Sequence, residues 1–305
     1  MARSDSLLTS AEVAQFVADG YLRFDALVPD DINERAVEEM RALVPVKMRL
    51  AIGLQPETDW ARPQSGCLLS ECYPPPSALG DYLRLPRVQG IIESLVGADP
   101  VYDHDFVHFL PAGSGYRQHL HVDAIVDTVA SAFDIQVFYF PRAVEKGEGG
   151  TRFVPGSHLR LARAEGVARY QRICGEQQFV GPAGTVLVFH HGMWHAGQPN
   201  PGTHERWMHK IRLNPRVSQQ RNWNTADLAA FQNDPSDHIF ATMRFDSVGN
   251  VLRKMQPWQG GHEARLELVQ RAKLWRYLTG DTGYDVDYYQ TRLEQRARLQ
   301  GETGA

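Results

Sequence analysis

His121-Val122-Asp123 sets an imidazole and a carboxylate two residues apart, on or just after a run that reads as a strand. Residues i and i+2 of a strand share a face, so these two side chains can converge on one ion. In a chain with 12 His and 20 Asp, chance alone supplies about one such triplet, so the motif needs a partner elsewhere. Gly184 to Asn200 provides one: a strand-like run ends in His190-His191-Gly192-Met193-Trp194-His195, and Arg206 follows Asn200-Pro201-Gly202. Positions 195 and 206 flank that turn, and opposed hairpin residues lie about 5 Å apart at Cβ, so His195 and Arg206 are expected as neighbours. Two imidazoles and a carboxylate form the facial triad of non-haem Fe(II) and leave three positions open. A nearby guanidinium holds a carboxylate by a bidentate fork, which suits a chelating keto acid clamped at its far end. The same three ligands also suit zinc, so metal-assisted hydrolysis stays open, as does a jelly roll that holds metal and ligand without redox turnover. Arg206 argues against the last of these, because a binding scaffold gives no reason for a carboxylate fork beside the metal face.

These residues belong to a longer pattern: the opening Leu8-Thr9 to Gly20-Tyr21 segment, the HxD triplet, Gly149-Gly150-Thr151-Arg152-Phe153-Val154-Pro155-Gly156-Ser157-His158, then His195, Pro199-Asn200 and Arg206. In order and spacing this resembles the phytanoyl-CoA dioxygenase family of Fe(II)/2-oxoglutarate oxygenases over most of the first 215 positions. The resemblance implies a mainly β core with flanking helices, a double-stranded β-helix (jelly roll, cupin-like). It implies Fe(II) on His121, Asp123 and His195, 2-oxoglutarate as cosubstrate with its far carboxylate on Arg206, and O2 as oxidant. The expected reaction is oxidation of a C–H bond, hydroxylation by default, with release of succinate and CO2. Desaturation, cyclisation and epimerisation use the same apparatus. Gly197 departs from the pattern, since relatives commonly carry a hydroxyl residue there near the cosubstrate. Halogenating relatives replace the iron carboxylate by a small residue, and here Asp123 is present. Gln136, Thr151 and Arg152 are weaker candidates for cosubstrate contacts, against ordinary barrel packing for the first two.

Strand parity extends the reading. With Arg206 inward, Met208, Lys210 and Arg212 share its face, and Trp207, His209, Ile211 and Leu213 lie on the other, packed under a helix. Lys210 and Arg212 are then candidates for an anionic group of the substrate, and His119, on the face of His121, for a further substrate contact. His190 and His191 are read as structural or as outer neighbours of the metal, His158 as fixing a turn, and His104 and His108, alternating with Phe106, as lining the barrel or, in preference, as a solvated strand face.

The elements that must position these groups change character along the chain. Thr9-Ser10-Ala11-Glu12 is a capping box opening a helix that stops at Gly20. A strand from Tyr21 to Phe24 follows, then a helix capped by Asp30, and another from Arg87 to Val96 that stops at Gly97. The Pro-spotted stretch from Val44 to Pro86 has the length of a lid or binding segment, or is equally broken up by short helices, and its Lys47, Arg49, Trp60 and Arg62 are candidate substrate contacts or solvated surface. From Asp99 the period becomes two, giving strands over Val101–Leu110, Ala132–Val144, Thr151–Val154, Gln177–Val180, Thr185–His190 and Trp207–Leu213. Helix returns at Ala264–Leu278 and Asp287–Leu299. A single catalytic domain over 1–305 is expected, with N-terminal helices and lid in 1–98, the β core in 99–215 and a helical extension in 216–305.

The 305 residues carry a net charge of −4 with 43% hydrophobic and 22% charged residues, and no block of like charge. A sequence-independent grip on nucleic acid or anionic lipid is therefore not expected, and a small-molecule partner is. Three cysteines, Cys67, Cys72 and Cys174, suggest neither a disulfide framework nor a zinc ribbon, which fits a reducing, cytoplasmic setting. Neither a secretion signal nor a membrane span is read in the sequence. Only five of the 32 basic residues are Lys, a skew that points to GC-rich coding and, with the family resemblance, to a small natural product as substrate. No basic site for the phosphates of a CoA ester is evident, and the oligomeric state is not legible.

Overall fold

The computed structural model describes residues 3–44, 66–123, 133–160, 164–169, 172–216, 222–232, 248–260, 264–281 and 284. About half of the expected lid, residues 45–65 with Lys47, Arg49, Trp60 and Arg62, and the expected helix Asp287–Leu299 lie outside them. Strands are β1 (Tyr21–Phe24), β2 (Val101–Leu110), β3 (Ile135–Phe140), β4 (Arg152–Phe153), β5 (Gln177–Gln178), β6 (Thr185–His190), β7 (His195–Ala196) and β8 (Arg206–Asn214). They form a five-stranded sheet in the order β1-β6-β3-β8-β2 and a three-stranded sheet in the order β5-β4-β7, every pairing antiparallel.

Period-two alternation decides what each face of the large sheet meets. Phe138 and Phe140 of β3, Leu187 and Phe189 of β6 and Met208 of β8 pack with Phe153 of β4 and with Phe179, so the two sheets share one apolar interior. The opposite face, with Val137, Tyr139, Val186, Val188, Trp207, Ile211 and Leu213, joins the larger core beneath the helices. The parity expected for β8 therefore holds. His209 also points to that outer side, where its ring nitrogens meet the hydroxyls of Tyr73 and Tyr82, each at 2.7 Å.

The helices lie against this outer face. Ser10–Asp19 starts as expected: Thr9 Oγ1 accepts from Glu12 N and Glu12 Oε2 accepts from Thr9 N. Gly20 ends it at φ 75°, where a Cβ would stand 2.3 Å from His158 Nδ1, so only glycine lets the helix turn into β1 against that ring. His158 Nε2 donates to Val17 O, which gives it the turn-fixing role expected of it. Asp30–Leu43 is capped by Pro29, and Asp30 instead occupies the first turn. Pro86 stands at the start of Pro86–Val96, where its missing N–H leaves nothing unpaired. Short helices Leu69–Cys72 and Ala78–Leu83 break up the described part of the expected lid. Cys67 and Cys72, not expected to pair, are joined by a disulfide: one helical turn brings their Cα atoms to 6.0 Å, within the usual range. Ala264–Thr279 confirms the C-terminal helix and buries Leu274 and Trp275.

Candidate active site

His195 is placed by β7, where it pairs with Phe153 of β4, and both face the shared interior. His121 reaches it through an isolated antiparallel bridge: His121 N donates to His195 O at 3.0 Å and His195 N donates to His121 O at 2.9 Å. Each ring then anchors its Nδ1 on the carbonyl two residues back, His121 on His119 O at 2.9 Å and His195 on Met193 O at 3.0 Å. With both Nδ1 atoms committed as donors, both Nε2 atoms are left as lone-pair donors toward a metal. Asp123 meets them, Oδ1 3.6 Å from His121 Nε2 and Oδ2 3.5 Å from His195 Nε2. Ligands about 2.1 Å from one ion stand roughly 3.0–3.4 Å apart, so these three fit a single divalent cation. Among the described residues this is the one such cluster of three.

The electrostatics agree. Burial alone would raise the Asp123 carboxyl, but Lys210, His195 and His121 outweigh it and hold the group well below the usual carboxylate range, ionised. Burial pushes His195 down to about 3, so its ring is neutral at physiological pH, as a ligand must be. Two donors converge on Asp123 Oδ2, Gln136 Nε2 at 2.5 Å and Lys210 Nζ at 2.6 Å. Lys210 lies over the rings of Phe138 and Phe106, at 5.6 and 5.9 Å from their centroids.

Arg206 is 7% exposed at the other end of the β8 inner face. Its only described contact is Nη1 to Met208 Sδ at 4.0 Å, its Nε has no hydrogen-bond partner, and burial lowers its pKa to about 10. An ionised guanidinium shut away from water without a carboxylate is unfavourable unless an anion joins it, and its fork matches a carboxylate. Thr151 Oγ1 touches the same Met208 sulfur at 3.6 Å, which brings it to the Arg206 end of the cavity. The residues therefore fit both a divalent metal and a diacid.

His195 and Arg206 are not the cross-strand pair expected. Arg206 is opposite Leu110 of β2, whereas His195 is in the other sheet, so the chain between them crosses from sheet to sheet instead of closing a hairpin. Arg212 forms an ion pair with Asp134, and Nε donates to its Oδ2 at 3.0 Å. His119 is exposed, and the bond it makes to the site is through its carbonyl. Arg152 pairs with Glu176. His190 and His191 stay outside the ligand set: His190 Nδ1 accepts from Gly192 N, and His191 lies 3.8 Å from Asp134. Gly197 is covered by Gln118, whose Oε1 accepts from Gly197 N at 2.8 Å.

His108 lines the interior, the less favoured of the two readings of its strand face. It sits opposite Met208 between Arg206 and Lys210, and burial with these two cations drives its pKa well below the ordinary value. A register shift between Asp103 and Phe106, with His104 at φ 47°, throws His104 out to solvent and lets His108 turn inward. Simple alternation cannot foresee such a bulge.

The chain matches the phytanoyl-CoA dioxygenase (PhyH) family over residues 16–208. Among solved structures it is similar to AviO1 from Streptomyces viridochromogenes Tue57, with a TM-score of 0.52 and 16% identity over 68% of this chain and 96% of that one. It is also similar to the apo form of EctD from S. alaskensis, with a TM-score of 0.51 and 17% identity over 67% and 75% of the two chains. At such identities these likenesses speak for the fold alone. A search of curated proteins finds no match. The family match spans well over half of the chain and takes in both sheets except most of β8, and on that ground the chain belongs to the phytanoyl-CoA dioxygenase family of Fe(II)/2-oxoglutarate-dependent oxygenases.

Proposed function

We propose that this oxygenase hydroxylates a C–H bond of a small metabolite, a natural product, with iron on His121, Asp123 and His195 and the far carboxylate of 2-oxoglutarate on Arg206. The observation that carries this reading is a metal-shaped triad beside a strand face whose Lys210 bonds Asp123 and whose Arg206 is buried and, among the described residues, meets no carboxylate. In this reading the two sheets are a double-stranded β-helix and residues 1–305 one catalytic domain. Among the described residues no helix is long and apolar enough to cross a membrane.

Iron held by His121, Asp123 and His195, with 2-oxoglutarate on Arg206, would supply the oxidising power from O2, with succinate and CO2 as the co-products. The chain's own part is positioning. The carbonyls of His119 and Met193 hold the two imidazoles with Nε2 forward. Gln136 and Lys210 fix the Asp123 carboxylate through Oδ2. Arg206 orients the diacid, with Thr151 beside it, and Phe138, Phe153 and Phe189 keep water from the space between the sheets. His119 at the rim, Lys210 and Arg212 are the side chains proposed to meet the substrate. Desaturation, cyclisation or epimerisation would need the same residues and differ only in how the substrate is held.

The test is succinate formation from 2-oxoglutarate in air across a panel of candidate metabolites, with His121→Ala as the blank. Stimulation by one metabolite, with its hydroxylated product detected by mass, supports the reading. Succinate no greater than in the blank with every metabolite counts against it.

A further inference from the structure

We propose that Lys210 is a positioning residue that couples the two binding events: its ammonium, fixed on Asp123, keeps a divalent ion weakly held until the dianionic cosubstrate joins it. This inference rests on the oxygenase reading above.

Lys210 Nζ stands 2.6 Å from Asp123 Oδ2, the same oxygen that faces His195 Nε2 at 3.5 Å. Any ion within reach of all three ligand atoms therefore shares this carboxylate with the ammonium. Escape is restricted: the Lys210 side chain is 12% exposed, and the rings of Phe106 and Phe138 flank its head. Farther along the strand, Asp134 and Asp103 are both already engaged by Arg212. Arg206 and Lys210 each bring one positive charge to the cavity and Asp123 one negative, a net of plus one. A divalent ion alone raises the total to plus three in a partly desolvated space, where like charges repel more than in water. A diacid on Arg206 and the metal returns the total to plus one. The neutral donor on the same oxygen, Gln136 Nε2, would hold the carboxylate in place without this penalty. A positive charge where a neutral group would serve for positioning is what makes metal and diacid depend on each other, and such coupling is reciprocal.

The experiment measures Mn(II) binding from the loss of the free-ion electron paramagnetic resonance signal, with and without 2-oxoglutarate, for wild type, Lys210→Met, Lys210→Gln and Lys210→Arg. In wild type, 2-oxoglutarate tightens Mn(II) by about 5- to 150-fold, the usual range for coupled sites. Lys210→Met and Lys210→Gln each bind Mn(II) alone more tightly than wild type, by about tenfold, and lose most of the effect of the diacid. Lys210→Arg, which keeps the charge, behaves as wild type does. A merely structural lysine would give looser binding on removal, so a failure of both neutral variants to tighten Mn(II) overturns the proposal while leaving the oxygenase reading intact. Wild type that takes up no Mn(II) with or without 2-oxoglutarate overturns both.

Discussion

His121 and His195 exchange both backbone hydrogen bonds across the gap between a loop and β7, and their ring centroids lie 4.5 Å apart. The two imidazoles are thus set by main-chain pairing before any metal acts on them, and the bridge survives a change of either side chain. His121→Ala or His195→Ala should therefore leave stability within about 1 kcal/mol while lowering Mn(II) affinity by more than the roughly 10- to 100-fold expected for an outer-shell partner. Calorimetric titration with Mn(II), alongside thermal unfolding, checks this. Metal affinity unchanged in either variant would mean that this residue is not a ligand.

Arg206 separates stability from function. A buried guanidinium without a carboxylate costs the fold free energy that an apolar side chain of similar length does not. Arg206→Met is expected to raise stability by on the order of 1 kcal/mol without 2-oxoglutarate, yet to lose the stabilisation that the diacid gives wild type. Thermal unfolding with and without 2-oxoglutarate decides. A variant that melts lower than wild type in its absence would contradict the account of Arg206.

Acid should weaken the fold through its buried histidines, two of which, His158 and His190, stand outside the ligand set. Burial holds His190 down to about 3, and burial with the neighbouring His190 and Arg271 drives His158 well below the ordinary value. In the unfolded chain both titrate near 6.5, so above that pH neither state takes up a proton and stability is flat. As pH falls from 6.5 toward the folded values, protons bind the unfolded chain alone, costing about 1.4 kcal/mol per pH unit for each group. Urea unfolding between pH 7.5 and 4.5 should show this decline, and His190→Gln should make it shallower by one group. An unchanged slope in that variant would rule out His190 as a source.

On the outer face of the large sheet, Tyr82 is fully buried and its hydroxyl meets His209 Nδ1 at 2.7 Å. His209→Leu leaves that hydroxyl without its partner and should destabilise the protein by about 1–3 kcal/mol. Mn(II) affinity should stay as in wild type, because His209 points away from the cavity. Urea unfolding and the Mn(II) titration together test it, and a large loss of metal affinity at full stability would contradict the assigned faces.

Much of this site was legible because it rests on alternation. The inward set Arg206, Met208, Lys210 and Arg212 and the outward set Trp207, His209, Ile211 and Leu213 follow from period two and are observed. Three features were hidden for physical reasons. The chain from Gly197 to Glu205 crosses between sheets, so counting residues from a turn put His195 opposite the wrong partner. The irregular register in β2 separates the facing of His104 from that of His108. The ion pair between Arg212 and Asp134 depends on a contact 78 residues apart, which no local pattern encodes, and it gives the guanidinium a carboxylate partner that parity alone does not show.

The most direct test of the central claim is anaerobic addition of Fe(II) and 2-oxoglutarate to the wild type, followed by visible absorption. Chelation of iron by the keto acid on His121, Asp123 and His195 predicts a charge-transfer band that is absent from His121→Ala and that needs a higher 2-oxoglutarate concentration in Arg206→Met. A wild type that shows no band, or a band of equal strength in His121→Ala, would contradict it.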